Sequence, residues 1–578
     1  MDETSVDKHL SAMLDADLIS VDTETTGIDR IKDGRDSLIG ISVAYRIGDL
    51  GIFSGYFPFF HQVERGNLSP KVLARLCDVL SRKPLVWHHR KFDKHSLESV
   101  GIDSNKVMRK RQFCCMIEAQ MVNEEWPSKE LDWLSKTLLS DEKKGAEVKR
   151  WGEIYGWGTV PVDMMTPYAR QDAELPLRLH SEVLWGKLKQ QELDTLWDTE
   201  SQFTDVLFNM ECEGVGVDTD FAERKLHKGR ARMGDITEQL GFEPTPTNLR
   251  QLFFEELKFP VLEVSKKTGR PSLNKRVMEE YDVLLSASDN PTAQLVLEYR
   301  GWQTACGLLY EPTLRLLSPD GRIRTNYKQH GTVTSRLSSS GPNMQQIPRK
   351  SSKEWNGDAK RMFNTGCDCC DLWGFDYSQL EFRLGTAYGG DQWLIDTFND
   401  PSQDVFNTMS SRIEVPRQTC KTFTYGNIYG AGLDKIAYTL NRKSHEIEDL
   451  YANFLGSIPG IRGASNRATH LARQRKFVRY WTGRRRHFAW DDKYYKAFNS
   501  ILQGGAAELV KHAMLSCREV EDLSEHGDCR MVLQVHDEIV FRIRKGMIDK
   551  YRPEIEKRMT NFPDFGVKLA VEGKVWNA

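Results

Sequence analysis

Apolar positions in the first third fall into short runs that stop at acids. Residues 17–24, Asp-Leu-Ile-Ser-Val-Asp-Thr-Glu, run into Asp22 and Glu24. A short apolar run of this kind predicts a buried strand. Side chains alternate along extended chain, so Asp22 and Glu24, two apart, face the same side. Residues 38–44 (Leu-Ile-Gly-Ile-Ser-Val-Ala) predict a neighbouring strand, with Gly27 and Gly34 in the connection. Residues 84–88 predict a third short strand, followed by His89-Arg90-Lys91-Phe92-Asp93 and a helical pattern. Leu131 opens an amphipathic helix, residues 152–161 read as a Gly-containing loop, and a long helix opens at Tyr168. Four residues separate Tyr168 from Asp172, so they share a helix face.

The pattern changes near Thr199. Val206, Leu207 and Met210 predict a helix ended by Gly214. Residues 220–315 are mostly helical in period, broken at Pro244, Pro246, Pro260 and a turn over 266–272. Residues 334–348 are polar and irregular. The apolar run 372–375 predicts a buried strand with Asp376 at its carboxyl end, turning helical from Leu380. Pro416 suits the first turn of a helix. Arg417, Lys421, Tyr425 and Tyr429 then recur every four residues as one stripe. At the helical rise, Arg417 and Tyr425 lie about 12 Å apart, the span of a triphosphate plus its sugar. Residues 531–535 and 539–543 predict a hairpin with His536-Asp537-Glu538 at its turn.

The chain has 578 residues, enough for two or more domains. Apolar content of 39% and charged content of 28% suit a soluble globular protein. The formal net charge of −2 advertises no nucleic-acid partner, although a polyanion needs only a local positive groove. No apolar run approaches the roughly 18 residues of a membrane span. The start lacks the basic and apolar regions of a signal peptide. An odd count of 11 Cys suggests reduced thiols and a cytoplasmic setting. Cys367-Asp368-Cys369-Cys370 has no partner pair at zinc-finger spacing and reads as a structural cluster or incidental turn.

Asp22, Glu24, Asp93 and Asp172, on separate elements with Tyr168 on a helix face, suit a hydrolytic site for two Mg²⁺ (or Mn²⁺) ions. Tyr168 could orient the attacking water. Singly, each acid is more often a cap or a solvated residue. In the last third, Asp376 and Asp537 could hold two further Mg²⁺ ions, with Glu538 nearby. Lys421 as a point charge and Arg417 as a fork would grip phosphate oxygens, and the two Tyr would stack near sugar and base. A solvated basic face explains the cations of this stripe but not its aromatic half.

Asp-x-Glu, Phe-Asp and Tyr-x3-Asp in this order resemble the 3′-to-5′ exonucleases of the DEDDy type over about 15–190. His89 stands where that family usually has Asn. Asp376-Tyr377-Ser378-Gln379-x-Glu381-x-Arg383, Arg417-x3-Lys421-x7-Tyr429-Gly430 and Val535-His536-Asp537-Glu538 resemble motifs A, B and C of the family A (DNA polymerase I-like) DNA polymerases. Thr334 to Pro348 is similar to the family's TGRLSS…PNLQNIP segment, with Ser335 in place of Gly and Gln346 in place of Asn. Asn499-x3-Gln503-Gly504 resembles the helix that contacts template and minor groove.

The resemblance implies an α/β and α+β multidomain protein. A ribonuclease H-like exonuclease domain (1–190) would precede a right-hand polymerase (196–578), with a thumb over about 200–320, a palm over about 321–390 and 490–578, and fingers over about 391–489. It implies that Asp376 and Asp537 bind metal and that Lys421 and Arg417 bind triphosphate, Lys421 also acting as a general acid. It places Tyr429 near the template-base pocket, Gln379 and Tyr425 in the nucleotide site, and Glu381 as a steric gate against the ribose 2′-hydroxyl. His536 would contact the primer end, and Arg336, Asn499 and Gln503 the primer-template DNA. Tyr425 implies tolerance of dideoxynucleotides. Phe406 replaces the family's usual phosphate-contacting His, and Tyr495 a frequent basic residue.

The implied activity is extension of a primer with dNTPs plus proofreading. The compact layout looks like that of polymerases encoded by bacteriophages, which would place the protein in the host-cell cytoplasm beside helicase, primase and single-strand-binding protein, with no membrane partner. An inactive DNA-binding factor, a nuclease with a vestigial polymerase half and a single-subunit RNA polymerase are the competing classes. Intact Asp376, Lys421 and Asp537 oppose the first two; Glu381 and the exonuclease set oppose the third. Arg484-Arg485-Arg486 and Arg109-Lys110-Arg111 read either as phosphate contacts or as solvated surface.

Overall fold

A computed structural model describes residues 3–28, 36–63, 66–265, 268–286, 290–348, 352–489, 491–522, 524, 527–562 and 565–577. The chain forms two compact units. The first comprises Met1–Glu213, Tyr327–Ser338 and Gly374–Lys574, and the second Gly214–Asn326, Ser339–Trp373 and Val575–Ala578.

In the first unit the amino-terminal third builds a five-stranded sheet from β1 (Ile19–Thr25), β2 (Leu38–Arg46), β3 (Ile52–Pro58), β4 (Leu85–Trp87) and β5 (Gln112–Cys114). The order is β3-β2-β1-β4-β5. β1 pairs antiparallel with β2 and parallel with β4. Ile19, Val21, Leu38, Ile41 and Val43 are fully buried, so the apolar runs of the sequence are the sheet's core. The expected strands over 17–24, 38–44 and 84–88 are β1, β2 and β4. β3 was not expected, because Gly55 and Pro58 interrupt its pattern. It is the edge strand, where a terminal Pro is tolerated.

The expected loop over 152–161 is in part a helix, Ala146–Tyr155. Gly152 lies inside it because a Cβ there would come within 2.6 Å of the Trp157 ring. The helix carrying Tyr168 and Asp172 starts earlier than expected, spanning Val162–Arg178, and packs on β1 and β2. Gly34, placed in the β1–β2 connection, lies outside the described residues.

The carboxyl-terminal part of this unit holds a four-stranded sheet. Its order is Cys529–Val535, Glu538–Arg544, Cys370–Tyr377 and Val571–Val575. Val535 pairs with Glu538, leaving His536 and Asp537 as a two-residue turn. His536 has φ +57°, the left-handed conformation that tight hairpins demand at this position. The motif A strand is followed by a helix, Leu380–Gly389, and the stripe occupies a helix, Arg417–Ile428. Pro416 caps that helix from outside its first turn.

The second unit is helical around a small sheet, with helices Thr219–Leu240, Lys275–Ser286 and Thr292–Ala305 packed together. Pro246 opens a short helix, Pro246–Arg250, capped by the Thr245 side chain, where a break was expected. Part of the turn expected over 266–272 lies outside the described residues. No helix among the described residues is long and apolar enough to cross a membrane.

Candidate active sites

The first site lies on β1. Oxygens of Asp22, Glu24 and Asp172 all approach within 4.8 Å of one another. Asp93, near the start of helix Arg90–Glu98, joins them electrostatically, and its carboxylate accepts a hydrogen bond from Thr23 Oγ1 at 2.8 Å. Tyr168 lies beside Asp172, one helical turn away. These acids are buried, and mutual repulsion compounds the desolvation. Burial first, then Glu24, Asp93 and Asp172, hold the Asp22 carboxyl well above the usual range, against the pull of Lys143. Glu24 is pushed up to about 8 by burial and by Asp172, and Asp93 to about 7 by burial. Glu24 Oε1 and Asp172 Oδ1 are buried with no hydrogen-bond partner. Converging carboxylate oxygens with orphaned lone pairs are the donor set of a hard divalent cation, so the residues fit Mg²⁺ or Mn²⁺.

One cation already faces this nest. Lys143 Nζ lies 2.7 Å from Asp172 and 4.7 Å from the centre of the Tyr168 ring. Burial alone would lower its pKa, but Asp172, Asp22 and Asp132 raise it. Sequence reading missed Lys143, which sits in a polar stretch with no motif around it. It also missed Tyr56, whose hydroxyl burial, with Glu24 and Asp22, holds well above its ordinary pKa. His89 is held neutral by burial and by nearby Lys91 and His330.

The second site is more open. Tyr377 N–H donates to the Asp537 carbonyl at 3.4 Å, which sets the motif A strand end beside the hairpin turn. Asp376, near the end of its strand, and Asp537, in the hairpin turn, therefore arise from adjoining backbone positions. Such strand-end carboxylates fit divalent cations, but Asp376, Asp537 and Glu538 form no three-carboxylate group like that on β1 among the described residues. Glu538 is buried at the start of its strand. Gln379, at φ +54°, caps the helix Leu380–Gly389, its carbonyl accepting from Phe382 and Arg383. Glu381 is buried and ion-paired with Arg336, which also lies 3.9 Å from Asp537. Burial raises the Glu381 pKa, Asp537 adds to this, and Arg336 and Tyr429 oppose it. Ser335, the residue before Arg336, has φ +59°, a conformation that glycine adopts without strain.

The stripe is real. Lys421, Tyr425 and Tyr429 line one cleft of about 330 Å³, and the two Tyr rings stack with centroids 6.0 Å apart. Arg417 is a partial exception. Its guanidinium holds Asp404 through two hydrogen bonds, 3.2 and 2.8 Å, and lies over the Phe406 ring. Phe406 itself is buried and stacked on Phe382. Asn499 and Gln503 lie one turn apart on helix Ala497–Asp522, and Asn499 Oδ1 is buried without a partner. Gly504 is needed for packing, since a Cβ there would fall 2.0 Å from the Tyr480 ring.

The reading of Arg484-Arg485-Arg486 as phosphate contacts or solvated surface is corrected. Arg484 is buried between Glu200 and Glu508, and Arg486 is buried against Glu124 and Glu125. Arg485 donates to the Gln191 carbonyl at 3.0 Å. Carboxylates far away in sequence neutralise these cations, which no local pattern reveals. Arg109, Lys110 and Arg111 are exposed, Arg111 pairing with Asp198 at 3.2 Å.

Comparison with known proteins agrees with this geometry. Residues 222–577 match the model of the family described as DNA polymerase family A, and residues 1–189 match that of the 3'-5' exonuclease. DNA polymerase I of Pseudomonas aeruginosa is 27% identical over the whole chain, which covers 65% of that protein. The thermostable DNA polymerase I of Thermus aquaticus is 29% identical over 71% of this chain and 52% of its own length. The chain thus spans between about half and two thirds of these two relatives. A solved structure, the POL domain of Pol1 from M. smegmatis in complex with DNA primer-template and dNTP, superimposes with a TM-score of 0.82 at 22% identity, covering 100% of this chain and 99% of that one. With motifs A, B and C on one sheet and one helix, and a carboxylate nest preceding them, the chain belongs to DNA polymerase family A and carries a 3'-5' exonuclease module at its amino-terminal end.

Proposed function

We propose that this protein extends a primer 3′ end on a DNA template with dNTPs and removes mismatched 3′ nucleotides at the carboxylate nest of its amino-terminal third. The observation that carries this reading is the adjacency of Asp376 and Asp537, linked through Arg336 and Glu381 to Tyr429 of the cleft-lining stripe of Lys421, Tyr425 and Tyr429. Asp376 and Asp537 would hold divalent ions in the polymerase half, and Asp22, Glu24, Asp93 and Asp172 in the exonuclease half. Two bound Mg²⁺ (or Mn²⁺) ions per site would acidify the attacking hydroxyl or water and neutralise phosphate charge. Lys421 would hold phosphate oxygens and give a proton to the leaving pyrophosphate. Arg417 would exchange Asp404 for the triphosphate, a fork better matched to phosphate than to one carboxylate. Glu381, fixed by Arg336, would sit beneath the sugar and exclude a 2′-hydroxyl. Tyr425 and Tyr429 would stack by the nascent pair, and Arg336, Asn499, Gln503 and His536 would contact the primer-template. In the exonuclease half, the Tyr168 hydroxyl would orient water at the scissile phosphate.

In this reading residues 1–190 proofread and 196–578 polymerise, with thumb, palm and fingers in that order of first appearance. The relatives named above are bacterial; a replicative role, including one in a bacteriophage, would use both elongation and proofreading. Primer extension with dNTPs or rNTPs in Mg²⁺, run on wild type, Asp22→Ala and Asp537→Ala, tests the reading. Asp537→Ala should lose extension by on the order of 10³-fold while keeping degradation of a mismatched end, and Asp22→Ala should do the reverse. Extension surviving in Asp537→Ala, or degradation surviving in Asp22→Ala, would overturn the assignment of that site.

A further inference from the structure

Three thiols outside both acidic sites converge in the turn that precedes the motif A strand. Cys369 Sγ lies 2.9 Å from Cys367 Sγ and 3.6 Å from Cys370 Sγ. All three sulfur atoms lie within 4.8 Å of one another. No disulfide joins them. At Zn–S bonds of about 2.3 Å, thiolates on a tetrahedral ion stand about 3.8 Å apart, so the triangle has the size of a metal-thiolate face. As neutral thiols the three share weak S–H···S hydrogen bonds; as thiolates they would repel one another, and a shared cation would hold them together.

The turn is held in this shape by groups that are not sulfur. Thr365 Oγ1 donates to the Cys367 carbonyl at 2.5 Å, and Asn364 Oδ1 accepts from Gly366 N–H at 2.8 Å. Gly366 has φ +70°, which lets the chain reverse so that Cys367 faces the two later cysteines. The Arg322 guanidinium donates to the Thr365 carbonyl at 3.0 Å, placing a fixed positive charge beside the loop. Cys367 and Cys369 are exposed, so an ion has a way in, while buried Cys370 anchors the site to the sheet.

We propose that Cys367, Cys369 and Cys370 form a three-thiolate site for one thiophilic d¹⁰ cation of the Zn²⁺ class, with water in the fourth position. Binding is pure ligand exchange: one divalent ion takes three sulfur donors, up to three thiol protons pass to solvent, and no oxidant is required. The product carries one negative charge, and Arg322 stands at the base of the loop through its bond to the Thr365 carbonyl. The site lies at the opposite end of the Cys370–Tyr377 strand from Asp376, and its soft ligands select against the Mg²⁺ that the carboxylates would take. Its occupation would clip the turn at the start of the strand that ends in Asp376.

The full chain, reduced and stripped of metal, is titrated with Cd²⁺ and with Zn²⁺, and thiolate-to-metal charge-transfer absorption and proton release are followed. The expected result is one Cd²⁺ per chain bound through three thiolates, displaced competitively by Zn²⁺. Affinity should fall by about 10- to 100-fold in Cys369→Ser and in Cys367→Ser. Both residues are exposed, so these variants should fold even if Cys370→Ser does not, and circular dichroism confirms it. No stoichiometric uptake by wild type would overturn the site, as would equal uptake by the folded Cys369→Ser variant. A Cys367–Cys369 disulfide whose reduced form takes up no Cd²⁺ would likewise assign these thiols to redox chemistry instead.

Discussion

Asp22 and Glu24 share a closed nest with Asp172, whereas Asp376 and Asp537 stand at an open junction between a strand and a hairpin. Both pairs sit on sheets whose apolar strands fix backbone position before any ligand arrives. In the nest the acids face one another, burial raises their pKa values, and Lys143 supplies the only cation that the nearby chain offers among the described residues. At the junction the polar groups are partnered across elements, Glu381 with Arg336 and Arg417 with Asp404. In the proposed reading the nest takes charge out of water around a small ion, and the junction, with a cleft beside it, keeps its cations for a larger anionic substrate. Backbone strain divides the same way. Ser335, Gln379 and His536 all adopt left-handed φ around the junction, and none of the four nest acids does.

The largest effect should come from protons in the nest. A carboxyl whose folded pKa is raised binds its proton more tightly folded than unfolded. Glu24, pushed from 4.5 up to about 8, therefore contributes stability that is complete below pH 4.5 and lost as pH rises through about 8. Without divalent metal, wild type should lose on the order of a few kcal/mol of stability across that window relative to Glu24→Gln. Thermal unfolding in chelator across this pH range measures it, and added Mg²⁺ should flatten the difference. A parallel pH dependence in the two proteins would erase the contrast between nest and junction.

Glu381→Ala probes the junction instead. Removing the proposed gate should raise rNTP incorporation relative to dNTP by about 10²-fold and leave mismatch removal unchanged. Single-nucleotide kcat/KM for each substrate gives the ratio; an unchanged ratio would move the sugar selector elsewhere.

Lys143→Met asks whether the nest's own cation competes with metal. The Mg²⁺ concentration for half-maximal exonuclease rate should fall about tenfold, equal to roughly 1.4 kcal/mol. If the rate drops at saturating Mg²⁺ instead, Lys143 acts on substrate and not as a placeholder. Ser335→Gly should relieve local strain and stabilise the fold by about 1 kcal/mol with extension intact. Urea denaturation measures this, and a loss of stability would show that the strain at Ser335 is smaller than the unfolded-state entropy that glycine adds.

Much of both sites was legible in the chain. β1 with Asp22 and Glu24, the shared face of Tyr168 and Asp172, the strand ending near Asp376, the stripe and the hairpin are all local patterns, and local patterns survive folding when packing agrees with them. β3 was missed because an edge strand tolerates the Gly and Pro that elsewhere mark turns. Gly152 was read as loop because its reason for being glycine, the Trp157 ring, is a tertiary contact.

The sequence by itself determined the parts, since residue type and spacing settle which side chains share a strand face, a helix stripe or a turn. The tertiary structure alone decided what those parts meet. It buried Arg484 against Glu200, 284 residues away, and turned an expected surface cation into a core ion pair. It placed Lys143 among the nest acids, paired Arg417 with Asp404, and gathered three cysteines into one triangle. Charges and thiols act through space, and distance in space is set by packing rather than by position along the chain.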